Sequence, residues 1–300
     1  MLRAVIHAGL HKTATTSFQK CCSGLHEELI KQGIYYPPNN STNHNSLINN
    51  QSLNWVPAVV EAARSNAGSD GCLLLSAENL ESHFQQDLPE RMEAALFGSG
   101  VKRMDWVLCF RRPFETYSSL YGQLSLSRNN RGARSILEFG ATGHLIAAKH
   151  TLTLQNRAHN QQFHFNYPQL ISDLRRRLSG NVLGLNFKDF AQTDPVPGDL
   201  LVQGIGRNGK GLSDLNSALP KHRNSSPSHE QIERNYLRRF FAFEETEEGS
   251  EPVWFAEAVK ARLQQREAQE ASIRRLFKQT FANWHKAITP RASVEQMLRP

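Results

Sequence analysis

"HAGLHKTATTSFQ", residues His7–Gln19, follows the apolar run Leu2–Ile6 and leads into an amphipathic run. A strand-like segment that ends at a glycine, then a lysine and small hydroxylated residues that open a helix, makes an anion cradle. Backbone N–H groups and the positive end of the helix both point at the bound charge. The stretch is not the loop that holds nucleoside triphosphates, which has one glycine directly before its lysine and another five residues earlier. Here His11 precedes Lys12, and Ile6 stands at the earlier glycine's place. In this reading Lys12 supplies a point charge, Thr13, Thr15, Thr16 and Ser17 supply hydroxyls, and Gly9, His11 and Ala14 complete the candidate anion-binding set.

Outward from this loop, short and nearly continuous apolar runs recur at Ala4–His7, Cys72–Ser76, Trp106–Phe110 and Val182–Phe187. Strands buried on both faces of a parallel sheet read this way. Helical patterns separate them: Thr15–Gln32, with Phe18, Cys22, Leu25 and Leu29 on one stripe and a stop at Gly33, then Glu115–Leu126 and Tyr167–Leu178. The alternation predicts an α/β fold, a three-layer parallel sheet flanked by helices. Pro37–Asn54 and Gln192–Ser228 read as irregular stretches. After them Ser228 and Gln231 form a capping box, and Ile232, Tyr236 and Phe240 line one face. Trp254–Trp284 reads as one or two amphipathic helices with Ile273, Leu276, Phe277 and Phe281 on the apolar side. The expected division is an α/β core over 1–230 and a helical C-terminal cap, 231–300, packed on the same domain.

The formal charge of +7 favours an anionic ligand, be it nucleotide, acidic glycan, nucleic acid or lipid surface, without choosing among them. Cys21, Cys22, Cys72 and Cys109 show no metal-ligand spacing, and Cys72 and Cys109 sit in apolar runs as small hydrophobes. They suggest a reducing compartment. No apolar stretch reaches membrane-spanning length, and a cytoplasmic location is expected.

"VLCFRRPFETYSSLYGQ", Val107–Gln123, again runs from a strand into a helix. Arg111 ends the strand, Pro113 suits the first helical turn, and Ser119 lies two turns on. An arginine and a serine so spaced suit one phosphate. Together the two stretches resemble the sulfotransferases that use 3′-phosphoadenosine 5′-phosphosulfate (PAPS). Gly9-Leu-His-Lys-Thr-Ala-Thr-Thr16 is similar to that family's 5′-phosphosulfate loop, with Ala14 at the place of its second glycine. Arg111 to Ser119 and Tyr121 resembles the 3′-phosphate motif, with Arg112 where the family has an acid. "LLLSAENL", "FNYPQLISDLRRRLSGNVLGLNFKDF" and "RNSSPSHEQIERN" resemble further segments of the bacterial and glycan-type branches, so the likeness touches most of residues 1–235.

The resemblance implies a P-loop-type sheet and in-line transfer of a sulfuryl group from PAPS to a hydroxyl or amine, without a metal. Adenosine 3′,5′-bisphosphate (PAP) is the product. The acceptor is not identified; carbohydrate is one class. Lys12 would stabilise the leaving oxygen, and Arg111 with Ser119 would hold the 3′-phosphate. Arg223 is assigned to the same phosphate by its place in the chain alone. Glu78, after a buried strand, matches the base of glycan-type relatives, and His44 in "TNHNSL" is the rival base. Arg128, Arg131 and Arg134 form either a cover for an anionic group or a solvated loop. A kinase with a degenerate loop and a basic nucleotide- or nucleic-acid-binding protein are the alternatives. The first lacks the loop glycine and a clear magnesium carboxylate; the second lacks aromatic-interleaved basic stripes or a helix-turn-helix.

Overall fold

The structure, a computed structural model of the chain, describes all residues except 40, 127–143, 150–158, 194–195, 216–226, 242–251 and 300. For 144–149, 159–161, 192–193 and 239–240 it describes the backbone only. Arg223, Arg128, Arg131 and Arg134 therefore lie outside the described residues.

The chain divides into two compact units. The first comprises Met1–Arg111, Asn166–Arg223 and Trp284–Pro300; the second comprises Arg112–Phe165 and Asn224–Asn283. This differs from the expected boundary at residue 230. The last residues belong with the sheet, and the Ser119 helix belongs with the C-terminal helices.

In the first unit five strands form an all-parallel sheet: β1 (Arg3–His7), β2 (Ile34–Tyr35), β3 (Cys72–Ser76), β4 (Arg103–Phe110) and β7 (Asn181–Asn186). Their order is β2-β3-β1-β4-β7. Every residue of β1 and β3 is buried, as continuous apolar runs require when both faces are covered. Alternate side chains feed two cores. Ala4, Ile6, Leu73, Leu75, Trp106 and Leu108 meet the helices α4 (Val56–Ala67), α5 (Leu88–Gly98) and α7 (Tyr167–Arg177). Val5, Leu74, Val107, Cys109, Leu183 and Leu185 meet α1 (Thr15–Gly24), α2 (His26–Lys31), α8 (Asp199–Ile205), α9 (Leu212–Leu215) and α12 (Arg291–Leu298). The result is the helix–sheet–helix layering of an α/β fold, consistent with a P-loop type.

Three stretches depart from the expected elements. The run Thr15–Gln32 is two helices, because Leu25 leaves helical geometry at φ −111° and ψ 25°. Pro37–Asn54 carries a short helix, α3 (Asn45–Asn49), and Gln192–Ser228 carries α8 and α9. All four cysteines are buried.

The second unit holds α6 (Pro113–Ser125), the antiparallel pair β5 (His144–Lys149) and β6 (His159–His164), α10 (His229–Phe240) and α11 (Val253–Thr280). Tyr117, Leu120, Phe163, Phe165, Phe277 and Phe281 make its core. Ile273 packs against that cluster, whereas Leu276 is 41% exposed rather than on the apolar side. Among the described residues no helix is long and apolar enough to cross a membrane.

Candidate functional site at the carboxyl edge of the sheet

β1 lies between β3 and β4, and the chain leaves its carboxyl end in one direction to β2 and β3 before returning to β4. Such a reversal of strand order opens a crevice at the carboxyl edge, where α/β proteins bind ligands. The loop 8–14 emerges there, and the first residues beyond β3 and β4 flank it. Ala77 donates its N–H to the His7 carbonyl (3.1 Å), and Ala8 donates to the Val107 carbonyl (3.0 Å).

The loop turns sharply because two residues are left-handed: Lys12 at φ 68° and Ala14 at φ 63°. Alanine here does not have the helical angles that would make it harmless. The position is one where glycine avoids a steric cost and alanine does not. Gly9 is required for a different reason: a Cβ would lie 2.3 Å from the Thr15 methyl and 2.8 Å from the His7 ring. Ala14 begins α1 without a side-chain cap, and no acid occupies the first turn. The N–H groups of residues 12–16 have no protein acceptor among the described residues. They lie at the positive end of α1.

Side chains along the loop alternate. Lys12, Ala14 and Thr16 are half-buried; His11, Thr13, Thr15 and Ser17 are buried. The Thr13 hydroxyl donates to the Leu10 carbonyl (2.5 Å), so it closes the loop rather than serving as a free donor. The Thr15 methyl packs under Gly9. Of the four expected hydroxyls, only that of Thr16 reaches the partly open side, where it donates to Glu78 Oε1 at 3.4 Å.

Glu78 starts a short 3-10 helix, Glu78–His83, directly after β3. It acts electrostatically on Lys12, as does Arg111 at the end of β4. Burial lowers the Lys12 ammonium below its usual range; Glu78 pulls it back up and Arg111 pushes it further down. Arg111 also lies over the Phe187 ring, 4.9 Å from its centre. Lys12, Thr16, Glu78 and Arg111 thus converge within the first unit. Ser119 lies on α6, in the second unit.

Two expected site residues have structural roles instead. His44 is fully buried beside Tyr36, accepts the Ser76 N–H at Nδ1 (2.9 Å) and donates from Nε2 to the Pro37 carbonyl (2.9 Å). Burial lowers its pKa to about 4, against the pull of Pro37. Both nitrogens are committed, so His44 anchors the polar loop to β3 and is no base. His11 gives both its backbone N–H (2.9 Å) and its ring Nδ1 (2.7 Å) to Glu81, which is also buried. His11 therefore fastens the loop to the 3-10 helix and does not offer its N–H to an anion.

Glu81, 70 residues from His11, was not found from sequence, and only its place one 3-10 turn after Glu78 hints at it. Beneath the loop, Ser76 Oγ bonds His7 Nδ1 (2.8 Å) and accepts from Gln19 Nε2 (3.0 Å), a buried link that also escaped the sequence reading. Arg207, a basic residue of the glycine-rich stretch, pairs with Asp70 and the Ala67 carbonyl ahead of β3. That is the amino edge, away from this site. Compared with protein-family models, curated proteins and solved structures, the chain has no match.

Proposed function

We propose that this chain is a PAPS-dependent sulfotransferase of the bacterial or glycan-like type. The observation that carries the proposal is the convergence of Lys12, Thr16, Glu78 and Arg111 around an uncapped helix start at the carboxyl edge of the sheet. A row of unpartnered N–H groups with one lysine fits the phosphosulfate end of the donor. The arginine at the next strand end fits a second phosphate.

In this reading the N–H groups of residues 12–16 and the Thr16 hydroxyl hold the non-bridging oxygens. Glu78 accepts the proton of the acceptor hydroxyl or amine as that atom bonds to sulfur. The bond between sulfur and the bridging oxygen breaks, and Lys12 neutralises the charge that gathers on this oxygen. Its electron pair leaves with PAP. Arg111 grips the 3′-phosphate. Transfer without a metal is an expectation of the resemblance.

Labelled PAPS presented with a panel of sugars, lipids, peptides and small alcohols tests the proposal. At least one acceptor becomes labelled. Lys12→Ala cuts turnover far more than donor binding, because its contact strengthens as the leaving charge develops. Glu78→Gln keeps donor binding and loses roughly two to four orders of magnitude in transfer. Normal turnover in both variants removes these residues from the mechanism.

A further inference from the structure

The second unit contains a cavity of about 40 Å³ between α6 and α11. On the scale where one water takes roughly 10–15 Å³, this is room for about three waters, enough for a carboxylate group, with a ring left in the open mouth. Its walls include Phe114, Tyr117, Tyr121 and Ile273, with Arg262 and Arg266 at the polar side.

Among the described residues the charges around it do not balance. Glu233 is completely buried and receives Arg262 Nε at 3.2 Å, Arg266 at 3.0 Å and the Tyr121 hydroxyl at 3.2 Å. One carboxylate thus faces two guanidiniums, whose side chains are only 27% and 12% exposed. The other carboxylate on the wall, Glu270, is already paired with Arg274 at 3.1 Å. Arg274 in turn covers the outer face of Phe114. Removing a guanidinium from water without a full counter-charge is costly, and a second anion relieves that cost.

The remaining geometry selects the body of that anion. Arg266 lies 5.1 Å from the centre of the Tyr121 ring, and Tyr117 and Tyr121 are stacked at 6.3 Å. Aromatic walls with a planar cation beside them favour a flat apolar ring in offset contact, with its charged group toward the arginines. We infer that this cavity is a binding site for a small planar aryl anion, with Arg262 and Arg266 as its anion-recognising groups. The inference is independent of the donor loop and of the sulfotransferase reading.

Fluorine NMR of 4-fluorobenzoate with the full chain tests it, with 4-fluorobenzamide as the uncharged counterpart. The acid broadens and shifts on binding, and the amide binds at least about tenfold more weakly. Arg266→Gln abolishes acid binding. Gln269→Glu, at an exposed position on the cavity rim, sets a carboxylate at the mouth and weakens it about two- to fivefold with thermal unfolding unchanged. This variant keeps the test decisive if Arg266→Gln fails to fold. Lys12→Ala leaves acid binding intact. Equal binding of acid and amide, no binding of the acid at millimolar concentration, indifference to Gln269→Glu, or loss in Lys12→Ala would each overturn the inference.

Discussion

Lys12 and Ala14 hold left-handed backbone angles within three residues of each other, and neither is glycine. An L-residue there costs about 1–2 kcal/mol, a cost that surrounding structure must hold in place. The His11–Glu81 pair and the Thr13–Leu10 bond do so from both sides of Lys12. Ala14→Gly should therefore stabilise the chain by about 0.5–1 kcal/mol, after allowing for glycine's greater unfolded-state entropy. Urea unfolding checks it, and a lower midpoint would mean that Ala14 is not strained. The buried histidines make a second residue-scale prediction. Burial takes His7 down to about 3 and His44 to about 4, while the unfolded chain titrates them near the ordinary 6.5. On acidification the unfolded state binds the protons first. Their contribution is therefore complete above about pH 6.5 and drains away as the pH falls through the window toward 4 and 3. The slope reaches about 1.4 kcal/mol per pH unit for each histidine. The urea midpoint should fall from pH 7 to pH 5, and His44→Asn should remove its share of the slope. A flat profile would contradict the buried, neutral assignment.

At the scale of elements, α1 and α2 show what the sequence carries and what it leaves out. Phe18, Cys22, Leu25 and Leu29 form one apolar stripe in the sequence, and all four are buried. The break at Leu25 has no glycine or proline to announce it, because the departure serves tertiary packing. The four long strands were legible as apolar runs. β2, two residues long, is too short to have a period. In α11 the stripe was legible but its exact line was not: Phe277 is buried and its neighbour Leu276 is exposed, a choice made by the partner surface. The site divides in the same way. Gly9, Lys12 and Glu78 were legible because a strand, its loop and the next helix are contiguous in sequence. His11–Glu81 and His44–Ser76 join residues 70 and 32 apart, and a single sequence has no signal for such pairs.

At the scale of the whole molecule, the chain returns to the sheet at its end. Thr289 donates to the Gly184 carbonyl (2.8 Å), and the Ala287 carbonyl passes so close to β7 that a Cβ on Gly184 would lie 2.0 Å from it. Arg3 donates to the Leu298 carbonyl (2.7 Å) and Arg103 to that of Met297, placing positive charge at the end of α12. Val294 and Leu298 are fully buried. Removal of residues 284–300 should cost more than about 3 kcal/mol, at roughly 1.5–3 kcal/mol for each large apolar side chain uncovered. An unchanged urea midpoint would mean that the segment is an appendage. Under the proposed function, the loop after β1 and Arg111 after β4 together read a nucleotide phosphorylated at both the 3′ and 5′ positions. Calorimetric titration compares PAP with adenosine 5′-phosphate, ATP–magnesium and an oligonucleotide, in the native chain and in Arg111→Ala. PAP should bind most tightly, and Arg111→Ala should weaken it by about 2–3 kcal/mol while barely affecting adenosine 5′-phosphate. Preference for ATP–magnesium or the oligonucleotide, or an equal loss for both adenosine nucleotides, would contradict the account.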